Sequence, residues 1–334
     1  MNAIRICKVV VTGLLGMASM SSAAEGTWTK KADMPTKRLC LSTSVVNGKI
    51  YAIGGGYSID GPPLRIVEEY DPVTDTWTRK ADMPTARFTH SASVANGKIY
   101  VIGGALQQNV SCATVEEYDP TTDTWTAKAD MPTQRAFLCA CTVDGQLYAF
   151  GGGYSPGPEW NPSVVEVYDP ATDTWTQKAN MPTARSMAAA SVADGKIYVI
   201  GGVVGDIAGS AISIMEEYDP MTDTWARKAN MPTGRKALSA CVVYGRVYAI
   251  GGATGRELGY STIEEYDPTT DTWTRKPSMP TARWFPASDA VNGKIYAIGG
   301  GGIFTWLSQL WKNVTSLRRP LISMLTASWT SRIC

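Results

Sequence analysis

Histidine occurs once in these 334 residues, as His90. One imidazole cannot build a multi-histidine metal centre. The seven cysteines include no Cys-x-x-Cys pair, which argues against a zinc site. Neither sign of charge dominates: Lys and Arg number 31, Asp and Glu 30, for a formal net charge of +1. That balance gives no nucleic-acid footprint and no strongly charged membrane face. Long apolar runs are missing too. The one at 9–17 is too short to span a bilayer. It follows Arg5 and Lys8 and precedes Ser22-Ala23-Ala24, so residues 1–24 are expected to be a cleaved secretory signal. The exported chain then sits in the periplasm or outside the cell, near a net charge of minus one.

What is present is repetition. Gly-Gly falls at Gly54/Gly55, Gly103/Gly104, Gly151/Gly152, Gly201/Gly202, Gly251/Gly252 and Gly299/Gly300, and Thr-Trp places Trp28, Trp77, Trp125, Trp175, Trp225 and Trp273. A period of about fifty residues is that of a propeller blade with four strands. Each unit reads as four strands. A small-residue segment such as 88–94 leads to an Asn-Gly or Asp-Gly hairpin turn (Asn96-Gly97, Asp144-Gly145), then Lys-Ile-Tyr-Val-Ile-Gly-Gly. The third strand is Val-Glu-Glu-Tyr-Asp, and after an Asp-Pro-x-Thr-Asp turn the fourth begins Thr-Trp.

Gly-Gly after an Ile/Val-Tyr strand, then Tyr-Asp-Pro, Thr-Trp and Met-Pro-x-x-Arg, resembles the kelch repeat, over roughly residues 27–302. The resemblance implies an all-β fold, a six-bladed β-propeller with four antiparallel strands per blade around a central channel. The chain starts with a fourth-strand pattern at 27–34 and its last first and second strands lie at 283–300. The last blade is therefore expected to borrow the N-terminal strand and so close the ring, which removes two sheet edges. Residues 25–302 form the propeller on this reading. From 303 onward the pattern fails. Read from the third base of the Leu310 codon, the possible triplets encode an apolar residue followed by Glu and Glu or Lys where the third strand is due. Residues 303–334 are accordingly expected to be an out-of-frame replacement of the last blade's end.

Geometry near a propeller axis asks for small residues on the innermost strands, and Cys40, Cys139, Cys141 and Cys241 read as small core side chains there, as do Ser42, Ser44, Ser91 and Ser93. Farther out, Tyr100, Tyr118 and Trp125 with their equivalents fill the widening gap. An arginine opens every first strand (Arg38, Arg87, Arg135, Arg185, Arg235, Arg283), and a glutamate follows the apolar start of each recognisable third strand (Glu68, Glu116, Glu166, Glu216, Glu264). These read as partly buried, hydrogen-bonded groups that fix blade register. A ring of six arginines gathering an anion at the channel mouth is the alternative. The Asp-Pro turns lack the Gly-centred ligand loop of calcium sites, and the glycine pairs lack the strand-to-helix context of a phosphate loop.

Differences among units carry the functional reading. The segments 56–66, 105–114, 153–164, 203–214 and 253–262 diverge sharply, while the turns at the opposite end are nearly identical. Loops on a rigid scaffold are where binding evolves. Tyr57, Trp160, Arg256 and Phe285 stand outside the repeated core pattern on or beside these loops, and are the candidate binding residues. The expected activity is a kelch-type binding scaffold for a protein or glycan, monomeric, with no cofactor and no metal. Copper-binding kelch-like oxidases need several histidines, which excludes that chemistry here. Exported six-bladed kelch proteins include sialic acid epimerases. Glu257 beside Arg256, or Glu159 near Tyr154 and Trp160, are the groups such a mutarotase could use. A structural surface or matrix protein is the third class. Asn109-Val-Ser111 forms a glycosylation sequon on the variable side.

Overall fold

The computed structural model describes residues 26–59, 61–107, 110–153, 163–205, 209–255 and 259–301. The secretory signal, the tail from 303, and the candidate residues Trp160 and Arg256 lie outside them, as do Tyr154, Glu159 and Glu257. Among the described residues no helix is long and apolar enough to cross a membrane.

The fold is an all-β propeller. In blade 1 the sheet order is Ser42–Val46, Lys49–Ile53, Val67–Asp71, Thr76–Arg79, all antiparallel, and blades 2 to 5 repeat it. Blade 2 carries a short extra hairpin, Ala105–Gln107 with Val110–Ser111, in its variable segment. Each inner strand lies against its neighbours around the axis, and Ala287–Val291 lies against both Ser239–Val243 and Ser42–Val46. The inner strands begin later than the sequence pattern suggests, at Ser91 rather than 88. The residues before them pass first through a left-handed conformation.

The sixth repeat, labelled blade 6 for its place in the order, departs from expectation. Its described part is a two-stranded sheet, Ala287–Val291 with Lys294–Ile298. The segment 26–34 has no strand assignment, because a ladder needs a partner and no third strand of this blade lies among the described residues.

Local chemistry explains the hairpins. Asn47 and Gly48 both take positive φ (51° and 75°), as a tight two-residue turn requires. At Gly54 and Gly55 the demand comes from the neighbouring blade. Gly55 N donates to the Arg87 carbonyl at 3.0 Å, and a Cβ on Gly54 would stand 2.7 Å from that oxygen. Only glycine admits so close an approach.

The core lies between blades. Tyr51, Ile53 and Val67 of blade 1 pack with Ile99, Val101 and Tyr118 of blade 2, and the Tyr118 ring meets Trp125 at a tilt, centroids 4.9 Å apart. The Asp-Pro turns do more than bend the chain. Asp123 Oδ1 accepts the Tyr118 hydroxyl (2.5 Å) and the Ala81 N–H of the preceding blade (2.9 Å), while Trp125 Nε1 donates to the Ala81 carbonyl (3.0 Å). The clasp recurs from Asp75 and Trp77 on Ala32 to Asp271 and Trp273 on Ala229. Trp28 makes the same indole bond, to Pro277 O at 3.1 Å. Proline has no N–H, so the aspartate half of this clasp cannot form there.

Candidate functional site

Five of the six opening arginines are buried and meet the glutamate of their own blade, while Arg283 is half-buried. Arg135 Nη2 lies 2.6 Å from Glu166 Oε2, and its Nη1 donates to the Gly151 and Val164 carbonyls at 2.8 and 3.2 Å. Thr133 Oγ1 holds the other carboxylate oxygen at 2.8 Å. Arg38 with Glu68, Arg87 with Glu116, Arg185 with Glu216 and Arg235 with Glu264 repeat the arrangement. Burial lowers the pKa of Arg135 and Arg235, opposed by the charge of their glutamates. Facing inward and paired, these five do not form an anion-collecting ring. Because the guanidiniums of Arg87, Arg135, Arg185 and Arg235 also grip the carbonyls where the variable segments leave and rejoin the sheet, while Arg38 holds Ala52 O, four of the loops diverge from fixed bases.

Just inside those bases runs a belt. Cys40, Thr89, Phe137, Met187, Ala237 and Phe285 all have φ between 51° and 56°. Their backbones link in sequence: Thr89 N donates to Cys40 O, Phe137 N to Thr89 O, Met187 N to Phe137 O, Ala237 N to Met187 O and Phe285 N to Ala237 O, at 2.9 to 3.0 Å. The left-handed region is costly for side chains larger than glycine. Here the hydrogen bonds across blade boundaries over-determine it. The side chains form an apolar constriction at the variable end of the channel, with the Phe137 and Phe285 rings 5.9 Å apart around a cavity of about 100 Å³.

Of the residues the sequence singles out, two are described. Tyr57 is 62% exposed, one residue past the Gly56–Leu39 bridge. Phe285 is not a loop-rim residue: it is partly buried in the constriction, against Phe137 and against Trp284 at 4.5 Å. The structure therefore puts Tyr57 on the exposed rim and Phe285 in the belt.

Behind the constriction the channel opens to about 460 Å³, lined by the inner strands. Sequence reasoning missed its one carboxylate. At the third inner-strand position the other blades carry Ser44, Ser93, Cys141, Ser191 and Cys241, while blade 6 carries Asp289. Superimposing the units would have exposed this exception. Asp289 Oδ2 is buried without a hydrogen-bond partner, and desolvation pushes the carboxyl up to about 6, opposed by the Thr43 side chain. His90 is also buried. Desolvation, then the Arg87 charge, lowers its pKa to about 3, opposed by the Ile53 and Arg87 backbone, so it is a neutral packing group. Among the described residues no group of three or more His, Cys, Asp or Glu could hold a metal ion.

Asp289 gives a pH-dependent expectation. Its folded pKa lies above the unfolded value, so folding favours the protonated form. That contribution is complete below about pH 4 and lost as pH rises through about 6. Asp289→Ser, the residue type of blades 1, 2 and 4, is expected to stabilise at pH 8 by at most about 3 kcal/mol and to change little at pH 4. Urea unfolding at both pH values checks it, and an equal gain at both would refute the desolvation argument.

The family model described as the KLHDC2/KLHL20/DRC7 Kelch-repeats domain matches residues 40–229 and, overlapping them, 130–301. No curated protein matches the chain. A solved structure described as "Structure of YjhT" is similar with a TM-score of 0.71 at 18% identity, covering 82% of this chain and 93% of that one, a likeness of fold. The family matches run across 40–301, and the chain belongs to the kelch-repeat β-propellers.

Proposed function

We propose that this kelch propeller is an exported, monomeric binding scaffold whose variable face receives a protein or glycan. The observation that carries the reading is the contrast between its two ends. Five divergent segments each adjoin a buried arginine–glutamate pair, whose guanidinium grips the base of four of them, whereas the opposite end repeats one Asp-Pro clasp. Rigid bases with divergent tips lower the ordering cost of binding.

We also read the propeller as six-bladed, with the N-terminal segment as its outermost element. Three contacts support this. Trp28 bonds Pro277 as each blade's tryptophan bonds the blade before it, Gly300 N donates to Arg38 O as Gly55 does to Arg87 O, and Ala287–Val291 lies against Ser42–Val46.

A glycan and protein interaction screen with the chain lacking residues 1–24 tests the binding role. Once a ligand is found, Tyr57→Ala, Trp160→Ala and Arg256→Ala should each weaken it about tenfold or more with unchanged melting curves, the behaviour of exposed hot-spot residues. Phe285→Leu keeps an apolar group in the belt and should weaken binding less. Equal losses from substitutions in the Asp-Pro turns would overturn the assignment of the face.

A further inference from the structure

We propose that the axial channel is a binding site for a small primary ammonium, with Asp289 as its counter-charge. The channel encloses about 460 Å³, the scale of a small-molecule site rather than of a single ion. All six inner strands that wall it are described, and each is the end of its sheet, paired on one side only. Their other edges face the axis, so backbone carbonyls and N–H groups border the cavity among side chains kept small. Asp289 is the single charged side chain among the lining residues. Its Oδ2 is sealed in without a hydrogen-bond partner, yet the residue is only partly buried and borders the channel. Thr43 of blade 1 favours its ionised form, and no cation among the described residues acts on it.

Chemistry selects the ligand. A desolvated carboxylate is costly when ionised, and a ligand that brings a positive charge offsets that cost. Hard metal ions want several charged oxygens, and here there is one. An ammonium carries three donors on one charge, which suits one carboxylate, the Thr43 hydroxyl and the carbonyls of the free strand edges. A lysine of a protein docked on the variable face falls short. Asp289 lies four residues past Phe285 of the belt, about 13 Å of extended strand, farther than a four-carbon stem reaches. The ligand is therefore a free small molecule, and the site is independent of whatever the variable face receives.

Binding of this kind follows the ionisation of Asp289 alone. The strands packed against Ala287–Val291 are Ser239–Val243, Ser42–Val46 and Lys294–Ile298. Their titratable side chains are Cys241, Tyr296 and Lys294, the last exposed at the hairpin end. Burial raises both Cys241 and Tyr296, so each stays neutral at pH 5 to 8. His90, which also lines the channel, is neutral there too.

The probes are ethanolamine and aminobutanol, titrated into the full chain at pH 8 and constant ionic strength and followed by calorimetry and melting temperature, with the diols of the same lengths as uncharged controls. Saturable binding of the amines with a raised melting temperature is expected, and none of the diols. Asp289→Asn keeps the shape of the carboxyl and should weaken amine binding about tenfold or more, the scale of one charge-assisted bond lost. Thr43→Val should weaken it severalfold. At pH 5, where about a tenth of a carboxyl titrating near 6 is ionised, the affinity should be about tenfold below that at pH 8. No amine binding at about 100 mM, equal binding of the diols, wild-type affinity in Asp289→Asn, or sodium chloride raising the melting temperature as the amines do would each overturn the proposal. So would carbon-13 NMR showing the Asp289 carboxyl titrating below about 4 in the free chain, because a cation of the chain itself would then already hold it.

Discussion

Glu264→Ala is expected to destabilise the protein by about 3–5 kcal/mol, the cost of leaving a buried charge uncompensated. Arg235 Nη2 lies 2.7 Å from Glu264 Oε2, both side chains are out of solvent, and Thr233 Oγ1 loses its acceptor as well. The melting temperature should fall by at least about 6 °C. The pair itself is not a large net source of stability, because desolvating both ions offsets most of their attraction. The double variant Arg235→Met with Glu264→Leu should therefore recover much of the loss. If the double variant is as unstable as the single one, the cost lies in the carbonyls the guanidinium bridges, Gly251 O and Thr262 O, rather than in the orphaned charge.

Deleting residues 25–33 is the second large effect. An ordinary terminus frays at little cost. This one carries Trp28, packed with Ile250, Ile263 and Met279 of blade 5, and Ala32, which receives both the Asp75 and Trp77 clasps of blade 1. Burying one indole is worth about 4–6 kcal/mol at most, so a drop of roughly 10 °C in melting temperature is expected. Trp28→Ala should cost about as much as Trp273→Ala, which removes the equivalent indole of a complete blade. A truncated protein that melts with the full chain would reject the closure.

The repeat made most of the fold legible, because each blade faces the same packing problem and solves it with the same residues. Val-Glu-Glu-Tyr-Asp marks the third strand wherever it occurs, and the recurring Arg and Glu read as hydrogen-bonded groups, which in five repeats are buried pairs. Three things were hidden for physical reasons. The belt was invisible because its constraint is on backbone dihedrals, which Cys, Thr, Phe, Met and Ala all satisfy, so no residue type betrays it. The Asp-Pro turn looked self-contained, and nothing local shows that its second aspartate reaches about forty residues back to another blade's amide. Phe285 stood out as an aromatic beside the loops, but its left-handed backbone turns it into the mouth. Asp289 was legible only by difference, as the carboxylate where other units place Ser or Cys.

The belt has a consequence for how such a molecule can change. Each of its six positions comes from a different repeat, is fixed by main-chain bonds and carries a side chain that those bonds do not specify. The diameter of the mouth is thus written in six separate codons, each able to vary without disturbing the frame. Large residues at all six would seal the pore, and glycines would widen it while also relieving the backbone. A propeller built this way holds its architecture constant while its aperture drifts, one residue at a time.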